Sequence, residues 1–119
     1  MAAIYNFTGE NAMCQGATWS WSVILSNYLT GQPLNITGYT ARMQLREHIP
    51  STTTLLELTT ANARLTITGA SGLISASVDA TTTAALTFDR AVYDLEIVNG
   101  ATVTRILQGV VDLDKEVTR

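Results

Sequence analysis

Four groupings in this 119-residue sequence contain side chains able to do chemistry. His48 follows Glu47 and precedes Ile49-Pro50. A histidine acts as a general base only with a nucleophile or an orienting carboxylate in reach. Neighbouring residues on a strand point to opposite faces, so Glu47 does not orient it and His48 reads as a surface-loop side chain. Cys14, the single cysteine, is followed by Gln15-Gly16-Ala17 and has no Lys or Arg within 25 positions. A thiol needs a positive surrounding to ionise, so Cys14 is expected to be partly buried and structural. Asp94 and Glu96 share one strand face and could serve as acid and base or hold a hard cation. Arg105, across a turn at Asn99-Gly100, offers the simpler reading of cross-strand charge pairing. Asp112-Leu113-Asp114-Lys115-Glu116 superficially resembles a calcium loop but lacks its glycine and its later bidentate Glu. Trp19, Trp21, Tyr5 and Tyr28 could stack on sugars or bases. Trp19 and Trp21 face the same way as Val23 and Leu25, which assigns at least one of them to the core and leaves the other for a partner. No nucleotide-binding, nucleophile-elbow or zinc-protease motif occurs. No catalytic, cofactor-binding or metal-binding residue is therefore assigned, and the expectation is a protein that is not an enzyme.

The elements that would position these residues are strands. Tyr39, Ala41, Met43 and Leu45 alternate with Thr40, Arg42, Gln44 and Arg46, a half-buried strand pattern. Ala91, Tyr93, Leu95 and Ile97 alternate likewise with Val92, Asp94, Glu96 and Val98. Asn99-Gly100, two residues tolerant of positive φ, predicts a hairpin returning over Thr102–Val111. Leu65 to Ile67 and Leu73 to Val78 flank a Gly69-Ala70-Ser71-Gly72 loop. Further strands are expected over Ile4–Thr8, Thr18–Tyr28 and, at an edge, Thr53–Leu58, with a turn at Thr30-Gly31-Gln32-Pro33. Only residues 79–86 invite a helix: Asp79 is a good N-cap and three alanines follow. The segment is too short to stand alone and reads as a crossover between two sheets. Tyr93 lies where a tyrosine-corner residue would, just inside the strand after that crossover. The predicted class is all-β: an immunoglobulin-like antiparallel β-sandwich of seven to eight strands with one short helical turn near 79–86. Residues 13–119 form one domain, and residues 1–12 are either its first strand or an arm that orders on assembly.

Composition sets the outer limits. Nineteen threonines, β-branched and polar without charge, suit exposed strand faces and account for a charged fraction of only 14%. A net charge of −3 argues against a duplex nucleic-acid binder, which needs a basic face. One Cys and one His exclude an internal disulfide and a cysteine-rich zinc site. No apolar run approaches the ~20 residues of a membrane span, and Met1 to Glu10 has no secretory pattern.

Two stretches taken together resemble a known group. One is Gln15-Gly16-Ala17-Thr18-Trp19, followed by Leu34 to Glu47 (LNITGYTARMQLRE). The other is Tyr93-Asp94-Leu95-Glu96-Ile97, then Val103 to Val111, closing on Glu116-Val117-Thr118-Arg119. The pattern is similar to that of small structural proteins of tailed bacteriophages and of the N-terminal, Ig-like domain of phage baseplate upper proteins. The resemblance implies a virion component of the tail, baseplate or fibre-attachment region, with capsid decoration (a cement role) as the alternative and host-surface binding as a further one. It implies other virion proteins and copies of the same chain as partners, no nucleic acid or membrane, and assembly in the host cytoplasm. A baseplate upper protein continues into a fibre-anchoring segment, so a chain ending at Arg119 is expected to be an adaptor or decoration subunit. Inter-subunit contacts are expected from the N-terminal segment and the Glu47–Thr54 loop, so deleting residues 2–12 should leave a folded domain that no longer assembles.

Overall fold

Strict alternation of apolar and polar residues decides which side of each strand is covered. In the strand Thr40–Arg46, Ala41, Met43 and Leu45 are buried between more exposed neighbours, and Arg90–Asn99 buries Ala91, Tyr93, Leu95 and Ile97 in the same way. The computed structural model describes residues 2–27 and 29–118. Tyr28, at the end of the expected Thr18–Tyr28 strand, and Arg119, at the end of the closing motif, lie outside the described residues. Among the described residues there are nine strands: β1 Ala3–Ile4, β2 Met13–Cys14, β3 Trp19–Ile24, β4 Thr40–Arg46, β5 Leu56–Thr59, β6 Leu65–Thr68, β7 Leu73–Val78, β8 Arg90–Asn99 and β9 Thr102–Asp114. A five-residue helix, α1 (Ala80–Ala84), links β7 to β8.

The strands form a β-sandwich. The larger sheet runs β1-β9-β8-β4-β5, with β2 also on β9, and the smaller runs β3-β7-β6. Three strands thus face a sheet built on the last hairpin. Met43, Leu45, Leu58 and Leu95 from one sheet and Trp19, Leu65, Ile74 and Val78 from the other fill the space between them. The helical crossover expected near 79–86 is present. Asp79 caps it by accepting a hydrogen bond from the Thr82 N–H at 3.1 Å. Five residues cannot hold a helix on their own. Buried Thr83 ties it down, its hydroxyl accepting from the Gly16 N–H at 3.1 Å and donating to the Ala17 carbonyl at 2.8 Å.

Several local expectations are corrected. Two strands, β1 and β2, run parallel to β9, with Ala3 opposite Leu107 and Met13 opposite Leu113, so the pairing is not antiparallel throughout. The chain threads along β9 from residue 3 to residue 14, interrupted by a 3-10 turn at Gly9–Asn11. Ala3–Ile4 pair with β9, Phe7 bridges to Val111 further along it, and Phe7 is only 4% exposed. The hairpin loop is Gly100–Ala101, because Asn99 still pairs with Thr102. Only Gly100 takes a positive φ, +61°, the pattern of a Gly-X two-residue loop. The edge strand expected at Thr53–Leu58 begins later, at Leu56, and runs to Thr59. Tyr93 makes no tyrosine corner: its hydroxyl donates to the Tyr5 carbonyl at 2.6 Å, far upstream in sequence. Gly109, opposite Tyr93 on β9, makes this possible, since a Cβ there would lie 2.3 Å from the Tyr5 oxygen.

Candidate functional site

Of the candidates in the sequence, Asp94, Glu96 and Arg105 lie together on the outer face of the larger sheet. The alternation that buries Met43 and Leu45 turns Arg42, Gln44 and Arg46 outward from β4 and Asp94 and Glu96 outward from β8. Register then sets their partners: Arg42 lies opposite Glu96, Gln44 opposite both Asp94 and Glu57, and Glu96 opposite Arg105. Arg42 Nε donates to Glu96 Oε1 at 2.9 Å, and Gln44 Nε2 to Glu57 Oε2 at 2.7 Å. Arg46 reaches Gln44 Oε1 at 2.7 Å and the Ser51 carbonyl at 2.9 Å through its two Nη atoms. Arg105 Nε stands 3.4 Å from Asp94 Oδ2. A register shift between Leu95 and Glu96 leaves one extra residue, Ile106, on the β9 side, the geometry of a β-bulge. The face forms an open depression of about 740 Å³, with exposed Ile4 and Ile49 among its lining residues.

Asp94 is the perturbed group of this face. Partial burial, then the nearby Glu96 charge, push its carboxyl above the ordinary value, and Arg105, Arg42 and Arg46 only partly offset them. A raised carboxyl beside a second carboxylate is the raw material of acid–base catalysis. Here each is engaged by an arginine, Glu96 by Arg42 and Asp94 by Arg105. The arrangement is a cross-strand ion-pair ladder, as expected for Asp94 with Arg105. Arg42 and Arg46 were not among the residues singled out in the sequence, although their spacing on the polar face of β4 places them beside Glu96 and Gln44.

The other candidates are dispersed. His48 Nε2 lies 3.8 Å from Glu47 Oε1, both side chains exposed. The two approach because β4 ends at Arg46 and the chain bends, so the opposed-face rule for strands does not hold there. Cys14 is exposed, contrary to the partly buried thiol expected; in the two-residue β2 it is Met13 that points into the core. Asp112 is held by Arg90, whose Nη2 donates to Oδ2 at 3.0 Å, and this bond keeps the Asp112 carboxyl below its usual range. Lys115 turns away to Asp89 at 3.3 Å and to the Thr87 and Phe88 carbonyls. Among the described residues no three His, Cys, Asp or Glu side chains cluster as metal ligands.

Trp19 and Trp21 both join an aromatic cluster around Phe7, with ring centroids 5.2 and 5.4 Å from it; Tyr93 is at 5.4 Å and Tyr5 at 4.8 Å. Trp19 is buried and Trp21 half-buried on the same inward side. Phe7 as the hub is not legible in the sequence, since of its ring partners only Tyr5 is near in the chain and the others lie 12, 14 and 86 positions away. No protein-family model matches the chain, and no curated protein matches it.

Proposed function

We propose that the chain is a non-enzymatic structural protein of a tailed-phage virion, a tail, baseplate or fibre-adaptor subunit assembled in the host cytoplasm. One observation carries the reading. While residues 15–19 lead into β3 of the other sheet, three of the stretches that resemble phage structural proteins are far apart in sequence, yet their strand residues fall on β4, β8 and β9, adjacent strands of one sheet. Their outward residues partner one another, Arg42 with Glu96 and Arg105 with Asp94. Three of the resembling stretches thus meet on one sheet. A sandwich with a low-charge, threonine-rich surface and open strand edges suits a subunit that docks among copies of itself and larger virion proteins.

The experiment is immunogold labelling of purified phage particles with an antibody to this chain. Gold at the tail tip or along the tail is the expected result. Gold spread over the head would replace this reading by capsid decoration. Absence of the protein from particles, by labelling and by mass, would overturn the virion assignment altogether.

A further inference from the structure

Sheet edges carry unpaired backbone N–H and C=O groups, and folds usually blunt them with shortness, charge, proline or a covering side chain. In this protein β1 and β2 are two residues each, and β6 is four. β5 is also four residues long, and its Glu57 carbonyl is capped by Asn62 Nδ2 at 3.1 Å and Arg64 Nη1 at 2.9 Å. β3 is different. Trp19–Ile24 pairs with β7 alone, in unbroken register over six residues, and contains no charge and no proline.

The hydrogen-bonding parity identifies the free groups. Leu25 N–H donates to the Gly72 carbonyl and Ser77 N–H to the Arg64 carbonyl. Because bonded pairs alternate along an antiparallel ladder, Trp19, Trp21 and Val23 bond to β7. Ser20, Ser22 and Ile24 direct their N–H and C=O groups outward. No described residue bonds to these outward groups. All three side chains are exposed, Ile24 at 61%.

The geometry points to β3 as a self-association edge: it pairs antiparallel with β3 of a second copy about a two-fold axis at Ser22. The pairing requires an extended strand as occupant. An edge without charge gives a charged partner nothing to select, but it meets an identical edge without repulsion. The free set is symmetric about Ser22. Ser20 pairs with the partner copy's Ile24 and Ser22 with its own counterpart, giving about six backbone bonds at two per bonded pair. The same register sets Trp21 beside Val23 of the copy on the inward side, extending cover over side chains that are half-buried in one molecule. An edge ~20 Å long is short of a standard interface of ~1,600 Å², so the dimer is weak and concentration-dependent. The inference names the surface for contact between copies and rests on the virion reading only for its setting.

The test is sedimentation of the full chain over about a hundredfold range of concentration. The expected result is a weight-average mass climbing from monomer towards dimer. Ser22→Lys and Ser22→Glu should each abolish this rise, because the two-fold sets like charges face to face. Mixing the two variants should restore it, which no misfolded variant would do. Ser75→Lys, on the same face but on central β7, should associate as wild type. A wild type that stays monomeric, a Ser22→Lys variant that dimerises normally, or a Ser75→Lys variant blocked as fully as Ser22→Lys would each overturn the edge pairing. A monomeric result would leave the particle labelling untouched, and absence from particles would leave the dimer intact.

Discussion

Replacing Phe7 by alanine tests whether the N-terminal segment belongs to the domain. Phe7 is 4% exposed, and its ring packs on Tyr5, Trp19, Trp21 and Tyr93 at centroid distances of 4.8 to 5.4 Å. Truncating a buried Phe costs about 3–5 kcal/mol through lost transfer energy and the cavity left behind. A domain of this size holds only ~5–15 kcal/mol in total, so the loss corresponds to a fall in Tm on the order of 10–20 °C. Guanidinium unfolding followed by tryptophan fluorescence is the natural assay, because both tryptophans touch the deleted ring. The midpoint should fall with little change in slope. Removing residues 2–12 should cost at least as much, since it also removes the Tyr5 carbonyl that accepts from Tyr93. The expectation that this deletion leaves an intact domain therefore gives way to one of marked destabilisation. A Phe7→Ala cost below ~1 kcal/mol, with unchanged tryptophan emission, would refute the reasoning and return residues 2–12 to the status of an arm.

Asp94→Asn should be neutral or stabilising at neutral pH. The native carboxyl is raised above 3.8, so its contribution is fully present below that value and is lost as pH rises through the raised native one. The variant should flatten the dependence of the urea midpoint on pH in that window, and a clear loss of stability at neutral pH would show that pairing with Arg105 outweighs burial. Gly109→Ala puts a Cβ 2.3 Å from the Tyr5 oxygen and 2.6 Å from Asn6 Oδ1. It should cost about 1–3 kcal/mol and speed exchange of the Tyr5 and Phe7 amide protons, which donate to the Gln108 and Val110 carbonyls; unchanged exchange would mean that the segment docks without this close approach.

What was legible in the sequence was whatever is written locally. β7 occupies Leu73–Val78 as expected, because a Gly-rich loop before it and an N-cap after it mark both ends. β4 and β8 were legible because seven and ten residues of alternation exceed any chance pattern. β1 and β2 were not separable, since two residues carry no period, and their parallel pairing depends on β9, about a hundred positions away. The Tyr93 partner was missed for the same reason: its acceptor is a backbone carbonyl 88 positions distant, and backbone carbonyls leave no trace in residue type. Of the candidate site, the Asp94–Arg105 pairing could be read from one hairpin, whereas Arg42 and Arg46 enter only once β4 is known to lie beside β8.

The two outer faces of the sandwich differ in a way that bears on where it can dock. On the larger sheet the charges are already matched, so a partner covering them would have to strip water from Arg42, Glu96, Asp94 and Arg105 while offering little that they lack. On the smaller sheet the outward residues include Ser20, Ser22, Thr66, Thr68, Ser75 and Ser77, and among the described residues no ion pair lies on them. Hydroxyls rebond readily to water or to a partner, and charge depletion is what marks the centre of protein interfaces. The unblunted β3 edge borders this uncharged face. The desolvation cost of association is therefore lowest where unpaired backbone groups are also most numerous, and the self-paired charges on the opposite face discourage binding there. Low overall charge is thus compatible with specific assembly: specificity comes from strand register at one edge, and the charged face limits how many other ways two copies can meet.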